Sequence, residues 1–259
     1  MIGSDVTFES CGVTLKGHLY EPSVGNSVAA VVVLLTGDSP NGSHSKTWRP
    51  LTESLRSAGL GVFIFDFLSQ GDSCGRREDL SLKTGCSNFR DAMRALRDVL
   101  DLDRVKQGLL GSSFGAAVLL QVQEELSYQA MALKSPAVFL AESYETEHGF
   151  PEGMERWREA GVSNVTGLSY SAYLTAIQHN TYAAALSAKG PILIVHGTDD
   201  DIVPVVQSRR LAHLLGQRAT LVELPGVKHD YKQPGAQDAL QRAMTSFFTA
   251  SLLGAQRGE

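Results

Sequence analysis

Gly111-Ser112-Ser113-Phe114-Gly115 decides how this chain is read. Val105–Leu110 reads as a short strand that runs straight into Gly111, and Ala116–Leu126, apolar on most sides, as a buried helix leaving it. A strand that turns into a helix within so few residues needs strained dihedrals and close backbone approach. Glycine at both flanks meets that need, because a Cβ there would clash. Of the two serines only Ser113 has glycine at both −2 and +2, so its hydroxyl is the one held out of the turn.

Outward from this turn, strands and helices alternate. Val28–Thr36 is a continuous β-branched run of the kind buried on both faces in a parallel sheet. Gly61–Phe67, Ala130–Lys134, Pro191–Val195 and Ala219–Leu224 read as further strands, and Val6–Glu21 as an antiparallel pair. Helices are expected at Trp48–Ala58, along Phe89, Met93, Leu96 and Leu100, at Val205–Leu215 and at Ala239–Leu253, with a long loop over Leu68–Gly85. The order implies a doubly wound α/β domain with a mostly parallel central sheet flanked by helices. Between Pro136 and Pro191 the alternation stops. That stretch holds Tyr144, Trp157, Tyr170, Tyr173 and Tyr182 and is too long for a structureless loop, so it reads as a small helical insertion. The domains are therefore 1–136 with 190–259 as core and 137–189 as an inserted cap.

The 259 residues can bury a substantial core. A net charge of −5 with no basic run excludes nucleic acid and an anionic membrane as main partners. The longest apolar run, Val28–Leu35, is far short of a membrane span, and no secretory signal is read at the N-terminus. The three cysteines, Cys11, Cys74 and Cys86, lack metal-ligand spacing and read as free thiols, which points to a cytoplasmic protein. The aspartate run Asp199–Asp201 lacks the frame of a calcium loop, so neither metal nor organic cofactor is expected. Oligomeric state is left open, a homodimer included.

A serine hydroxyl is a poor nucleophile at neutral pH and needs a base that is itself oriented by a carboxylate. Asp199, Asp200 and Asp201 follow the strand Pro191–Val195, where a carboxylate can reach a crevice above the sheet. His229 lies in the loop after the last strand and just before the closing helix. The remaining histidines lie elsewhere: His18 in the N-terminal strands, His44 in the first loop, His148 and His179 in the insertion, His196 at a strand end and His213 on a helix.

Four motifs in order, Leu34-Leu35-Thr36-Gly37, Phe65-Asp66-Phe67 with Gly71-Asp72-Ser73, the Ser113 turn, and the acid and histidine loops, resemble the α/β-hydrolase superfamily over nearly the whole chain. The arrangement is most similar to small bacterial cinnamoyl/feruloyl-type serine esterases and the dienelactone-hydrolase-like group. Thr36 stands where that subgroup carries histidine, and Ser112 where it often does. The resemblance implies a catalytic triad of Ser113, Asp200 and His229, with Asp200 chosen by the family pattern G-x-x-D-x-x-V-P running from Gly197 to Pro204. It also implies an oxyanion hole from the backbone N–H groups of Phe114 and Asp38, with the Asp38 carboxylate turned away. The expected activity is hydrolysis of a small soluble ester through an acyl-enzyme. The alternatives are a thioesterase, acyltransferase or peptidase on the same triad, and a ligand-binding receptor on a hydrolase fold.

Overall fold

The computed structural model describes residues 3–24 and 28–254. Eight strands form one sheet: β1 (Ser4–Ser10), β2 (Val13–Tyr20), β3 (Ala30–Leu35), β4 (Gly61–Phe65), β5 (Lys106–Ser112), β6 (Ala130–Lys134), β7 (Ile192–Gly197) and β8 (Ala219–Leu224). Their spatial order is β1-β2-β4-β3-β5-β6-β7-β8. β1 pairs antiparallel with β2 and β2 with β4, and from β4 to β8 every pairing is parallel. This is the α/β-hydrolase fold that the sequence implies.

Alternation along each parallel strand sorts the core into two layers. Val31, Val33 and Leu35 of β3 face one side with Leu109 and Leu133, and pack under α2 (Leu82–Val99), α3 (Phe114–Val122) and α8 (Val206–Leu215). Val32 and Leu34 face the other side with Leu110 and Ala132, and pack under α1 (Trp48–Ser57) and α9 (Ala236–Phe248). β3, β4, β6 and β7 are buried along their whole length, and β5 is buried beyond Lys106, which is why these segments read as mainly apolar runs.

Several boundaries differ from the sequence reading: α3 ends at Val122 rather than Leu126, and α9 spans Ala236–Phe248 rather than Ala239–Leu253. The loop expected to reach Gly85 ends earlier, because α2 starts at Leu82 behind a capping box in which the Ser81 and Thr84 side chains bond each other's backbone N–H. The insertion between β6 and β7 carries α4 (Leu140–His148), α5 (Glu152–Ala160), α6 (Tyr170–Ile177) and α7 (Thr181–Ala185). Its aromatic residues hold one another. Trp157 stacks on His148 at 4.3 Å and meets Tyr144 and Tyr170 edge-on at 5.5 Å each. The Trp157 indole N–H donates to Leu168 O at 2.9 Å.

Candidate active site

Ser113 sits between β5 and α3 with φ 50° and ψ −115°, a conformation outside the usual wells for a residue bearing a side chain. Both flanking glycines are sterically required. A Cβ on Gly111 would lie 2.7 Å from Ala116 Cα, and one on Gly115 would lie 2.2 Å from Thr36 O. The turn is pinned by Ser113 N–H donating to Lys134 O at 2.9 Å. The first loop runs directly alongside, where a Cβ on Gly37 would come within 3.3 Å of Ser113 Cβ.

The loops after β7 and β8 bring two further side chains to this serine. His229 Nε2 is 3.1 Å from Ser113 Oγ, and His229 Nδ1 is 2.9 and 2.8 Å from the two Asp200 oxygens. A carboxylate only accepts, so Nδ1 carries the hydrogen, Nε2 presents its lone pair and the Ser113 hydroxyl donates to it. Asp200 is held from behind. Its Oδ1 accepts from Ile202 N–H at 3.1 Å and Val203 N–H at 2.8 Å. Its two neighbours are engaged elsewhere: Asp199 accepts from the Thr198 hydroxyl, and Asp201 pairs with Lys228 at 3.3 Å on the surface.

A fourth group, which sequence reasoning passed over as a strand end, completes the row. His196 is fully buried, with Nε2 3.1 Å from Asp200 Oδ2 and 3.0 Å from Val203 O. Both of those partners only accept, so Nε2 bears the hydrogen, and Nδ1 meets Ser208 Oγ at 2.7 Å. The signal was available: a histidine inside an apolar strand needs a buried partner, and Asp200 stands four residues on. Burial would raise the Asp200 carboxyl, but hydrogen bonds from His196 and His229 outweigh it and hold the group well below the usual carboxylate range.

Burial pushes the His229 imidazole below its ordinary value; the hydrogen bond to Asp200 opposes this, and the Lys134 charge adds to it. Lys134, at the end of β6, is itself buried, which lowers its ammonium to about 8. It donates to His229 O at 3.2 Å and lies 4.1 Å over the Tyr231 ring. Asp38 is turned onto Arg77, with which it forms a close ion pair, and accepts from Gln70 at 3.4 Å. Burial raises its carboxyl despite the Arg77 charge. Arg77 also donates from Nε to Thr166 O at 2.9 Å, which joins the first loop to the insertion.

Two spaces open on Ser113. One is a cleft of about 880 Å³ bordered by Gly37, Asp38, Trp48, Lys134, His229 and Tyr231. The other is a pocket of about 60 Å³ beneath α4, bordered by Phe114, Ala137, Leu140, Tyr144 and Val203. The three cysteines are free, Cys86 buried with its thiol pushed up to about 11 by burial and Cys11 and Cys74 exposed. Among the described residues, no helix is long and apolar enough to cross a membrane.

Known proteins share this architecture. An uncharacterised protein of Mycobacterium tuberculosis is 27% identical over 229 residues, covering 88% of this chain and 73% of that one. Est1E from Butyrivibrio proteoclasticus, in a structure with ferulic acid bound, superposes with a TM-score of 0.80 at 22% identity, covering 95% of this chain and 99% of that one. Dienelactone hydrolase from Anabaena variabilis superposes with a TM-score of 0.70 at 21% identity, covering 97% and 98%. Residues 52–254, well over half of the chain, match the prolyl oligopeptidase family, and the chain belongs to that family within the α/β-hydrolases.

Proposed function

We propose that this protein is a serine hydrolase that cleaves a carboxylic ester of a small soluble substrate, with Ser113 as nucleophile, His229 as general base and Asp200 as its orienting acid. The observation that carries this reading is the continuous hydrogen-bonded row from Asp200 through His229 to Ser113, opening on a cleft. His229 Nε2 takes the hydroxyl proton as Ser113 Oγ attacks the ester carbonyl. The charge that develops on the carbonyl oxygen is met by the N–H groups of Phe114, at the start of α3, and Asp38. The tetrahedral intermediate collapses as His229 returns the proton to the leaving alkoxide. Water then gives a proton to His229, attacks the acyl-enzyme, and releases the acid and the serine hydroxyl.

The pocket of about 60 Å³ has room for roughly four water-sized groups, which supports a short acyl chain resting on Phe114 and Leu140. The larger cleft then takes the alcohol. Residues 137–189 act in this reading as a cap subdomain whose α4 roofs the acyl pocket. The likeness to Est1E with ferulic acid bound favours an ester, whereas the prolyl oligopeptidase relationship makes amide cleavage the competing activity. The test is steady-state turnover of p-nitrophenyl esters of increasing acyl length, acyl-CoA thioesters and prolyl p-nitroanilides. The highest kcat/KM is expected on the short esters. A preference for the anilides would replace esterase by peptidase, and tight binding with no turnover of any class would favour a receptor.

His229 must be neutral to act. Its folded value is depressed below 6.5, so the midpoint of the acid limb of kcat/KM is expected to lie below pH 6.5. A pH–rate profile on the best ester checks this; an acid limb above pH 7 would contradict the tuning by burial and Lys134. His196 is a positioning residue in this scheme. His196→Gln is expected to lower kcat about 10–100-fold, the scale of one hydrogen bond to a charged group, with KM within about twofold. A purely structural role would instead leave kcat per folded molecule unchanged and reduce only thermal stability.

A further inference from the structure

We propose that Lys134 recognises a carboxylate on the alcohol portion of the substrate, which makes the substrate an ester of a small hydroxy acid. The inference rests on the reading that Ser113 cleaves an ester whose alcohol occupies the main cleft. Lys134 borders that cleft together with Ser113 and His229, and it does not border the acyl pocket. The sheet fixes its place. Lys134 pairs in register with Ser112 of β5, and its carbonyl accepts from Ser113 N–H at 2.9 Å. The residue that carries this ammonium therefore stands one strand away from the nucleophile.

The ammonium is buried and has no counter-ion beside it. Lys134 is only 5% exposed. Among the described residues, His229 O at 3.2 Å is the one hydrogen-bond acceptor it reaches, and the Tyr231 ring covers another face with its centroid 4.1 Å from Nζ. An ammonium has donors to spare beyond these contacts. Among the described residues, no carboxylate lies within ion-pairing distance; Asp200 and Asp230 act on the charge only from farther off. Burying an unpaired ammonium is costly, and methionine would fill much of the same space without that cost. The lowering of its value to about 8 by burial reflects the same missing partner. A carboxylate held in the cleft supplies it.

The surroundings leave this charge to a ligand. The Tyr231 ring behind it is itself held, its hydroxyl donating to Val195 O at 3.1 Å and lying 3.3 Å from Ser135 Oγ. The ammonium is thus set in place before any ligand arrives, which keeps the ordering cost of binding low. Two acids that border the same cleft are already engaged, Asp38 with Arg77 and Asp230 with Lys232 at 2.7 Å. A third, Asp238, is exposed in the first turn of α9, where the helix dipole favours it. One buried positive charge matches a monoanion, whereas a phosphate dianion would bring a second negative charge towards these three acids. Lys46 borders the cleft as well, but it is exposed and its charge is screened by water.

The test compares acetate esters of hydroxy acids, with one to four methylene groups between the ester oxygen and the carboxylate, against the matching primary amides. Each kcat/KM is divided by that ester's rate of alkaline hydrolysis. At one spacing at least, the carboxylate is expected to be preferred by about 10–100-fold, the scale of a hydrogen bond to a charged group. Lys134→Met should bring the two members of that pair within about twofold of each other. The ratio is the readout because loss of the bond to His229 O slows both members alike. Lys46→Met should keep the parent's ratio, and Lys134→Gln serves if Lys134→Met does not fold. Equilibrium binding of the same pairs to Ser113→Ala separates this inference from the hydrolytic reading. If the parent cleaves no ester but Ser113→Ala binds the carboxylate member about tenfold more tightly, and loses this when Lys134→Met is added, the Lys134 site stands and the esterase reading falls. Equal binding there overturns the proposal, as does a cleavage preference that reaches tenfold at no spacing. A preference that survives Lys134→Met, or is lost in Lys46→Met, overturns it equally by seating the anion elsewhere.

Discussion

A Ser113→Ala chain is expected to lose about 10⁶-fold in kcat on the best ester while folding as before. The loss is large because nothing else near the turn can form the acyl-enzyme. Ser112, one residue earlier, is buried in β5 and is not the residue that meets His229. Folding is spared because alanine keeps the Cβ and the backbone bond from residue 113 to Lys134 O, and both glycines that permit the turn are untouched. Residual turnover should reflect only substrate binding and the oxyanion donors, roughly 10³–10⁴ above water. Kinetics combined with thermal unfolding check this. A loss below tenfold would remove Ser113 from the reaction, and a drop in Tm of more than about 10 °C would attribute the loss to folding.

Asp200→Asn is expected to cost about 10⁴-fold in kcat. The two oxygens of this carboxylate have different duties. Oδ1 is fixed by the N–H groups of Ile202 and Val203, so in asparagine the carbonyl oxygen stays there and the amide nitrogen takes the Oδ2 position. That nitrogen then meets the N–H of His196 at 3.1 Å, donor against donor, and donates to His229 Nδ1 at 2.8 Å. His229 is thereby pushed into the other tautomer, with its hydrogen on Nε2 facing Ser113, and cannot accept the serine proton. Asp199→Asn is expected to change kcat less than about twofold, because Asp199 bonds only its neighbour Thr198 among the side chains around it. Parallel kinetics on the two variants decide the matter; the reverse ranking would place the acid at 199.

The parts of this architecture that were legible before the structure are those with local causes. The glycines at 111 and 115 are dictated by a clash within the turn, and buried parallel strands announce themselves as β-branched runs. The family pattern from Gly197 to Pro204 favoured Asp200 over its neighbours, and it is Asp200 whose carboxylate meets His229. What stayed hidden depends on chain segments far apart or on a side chain's burial. His196 was passed over although Asp200 stands four residues on; only its other partner, Ser208, lies on a helix that the sequence does not place against it. The Arg77 link from Asp38 to Thr166 spans the first loop and the insertion, and no periodicity reports such a contact. Lys134 read only as the last residue of a strand, whereas its burial between His229 and the Tyr231 ring gives its charge a part in lowering the His229 imidazole. The early start of α2 was readable in principle, since Ser81 and Thr84 stand at capping-box spacing.

The central claim is that Ser113 is the activated nucleophile, and its most direct test is covalent labelling with a fluorophosphonate followed by peptide mass mapping. A single adduct on Ser113 is predicted, formed rapidly by the parent chain, slowed strongly in His229→Ala and absent in Ser113→Ala. An adduct on any other residue, or labelling that persists in Ser113→Ala, would contradict the account.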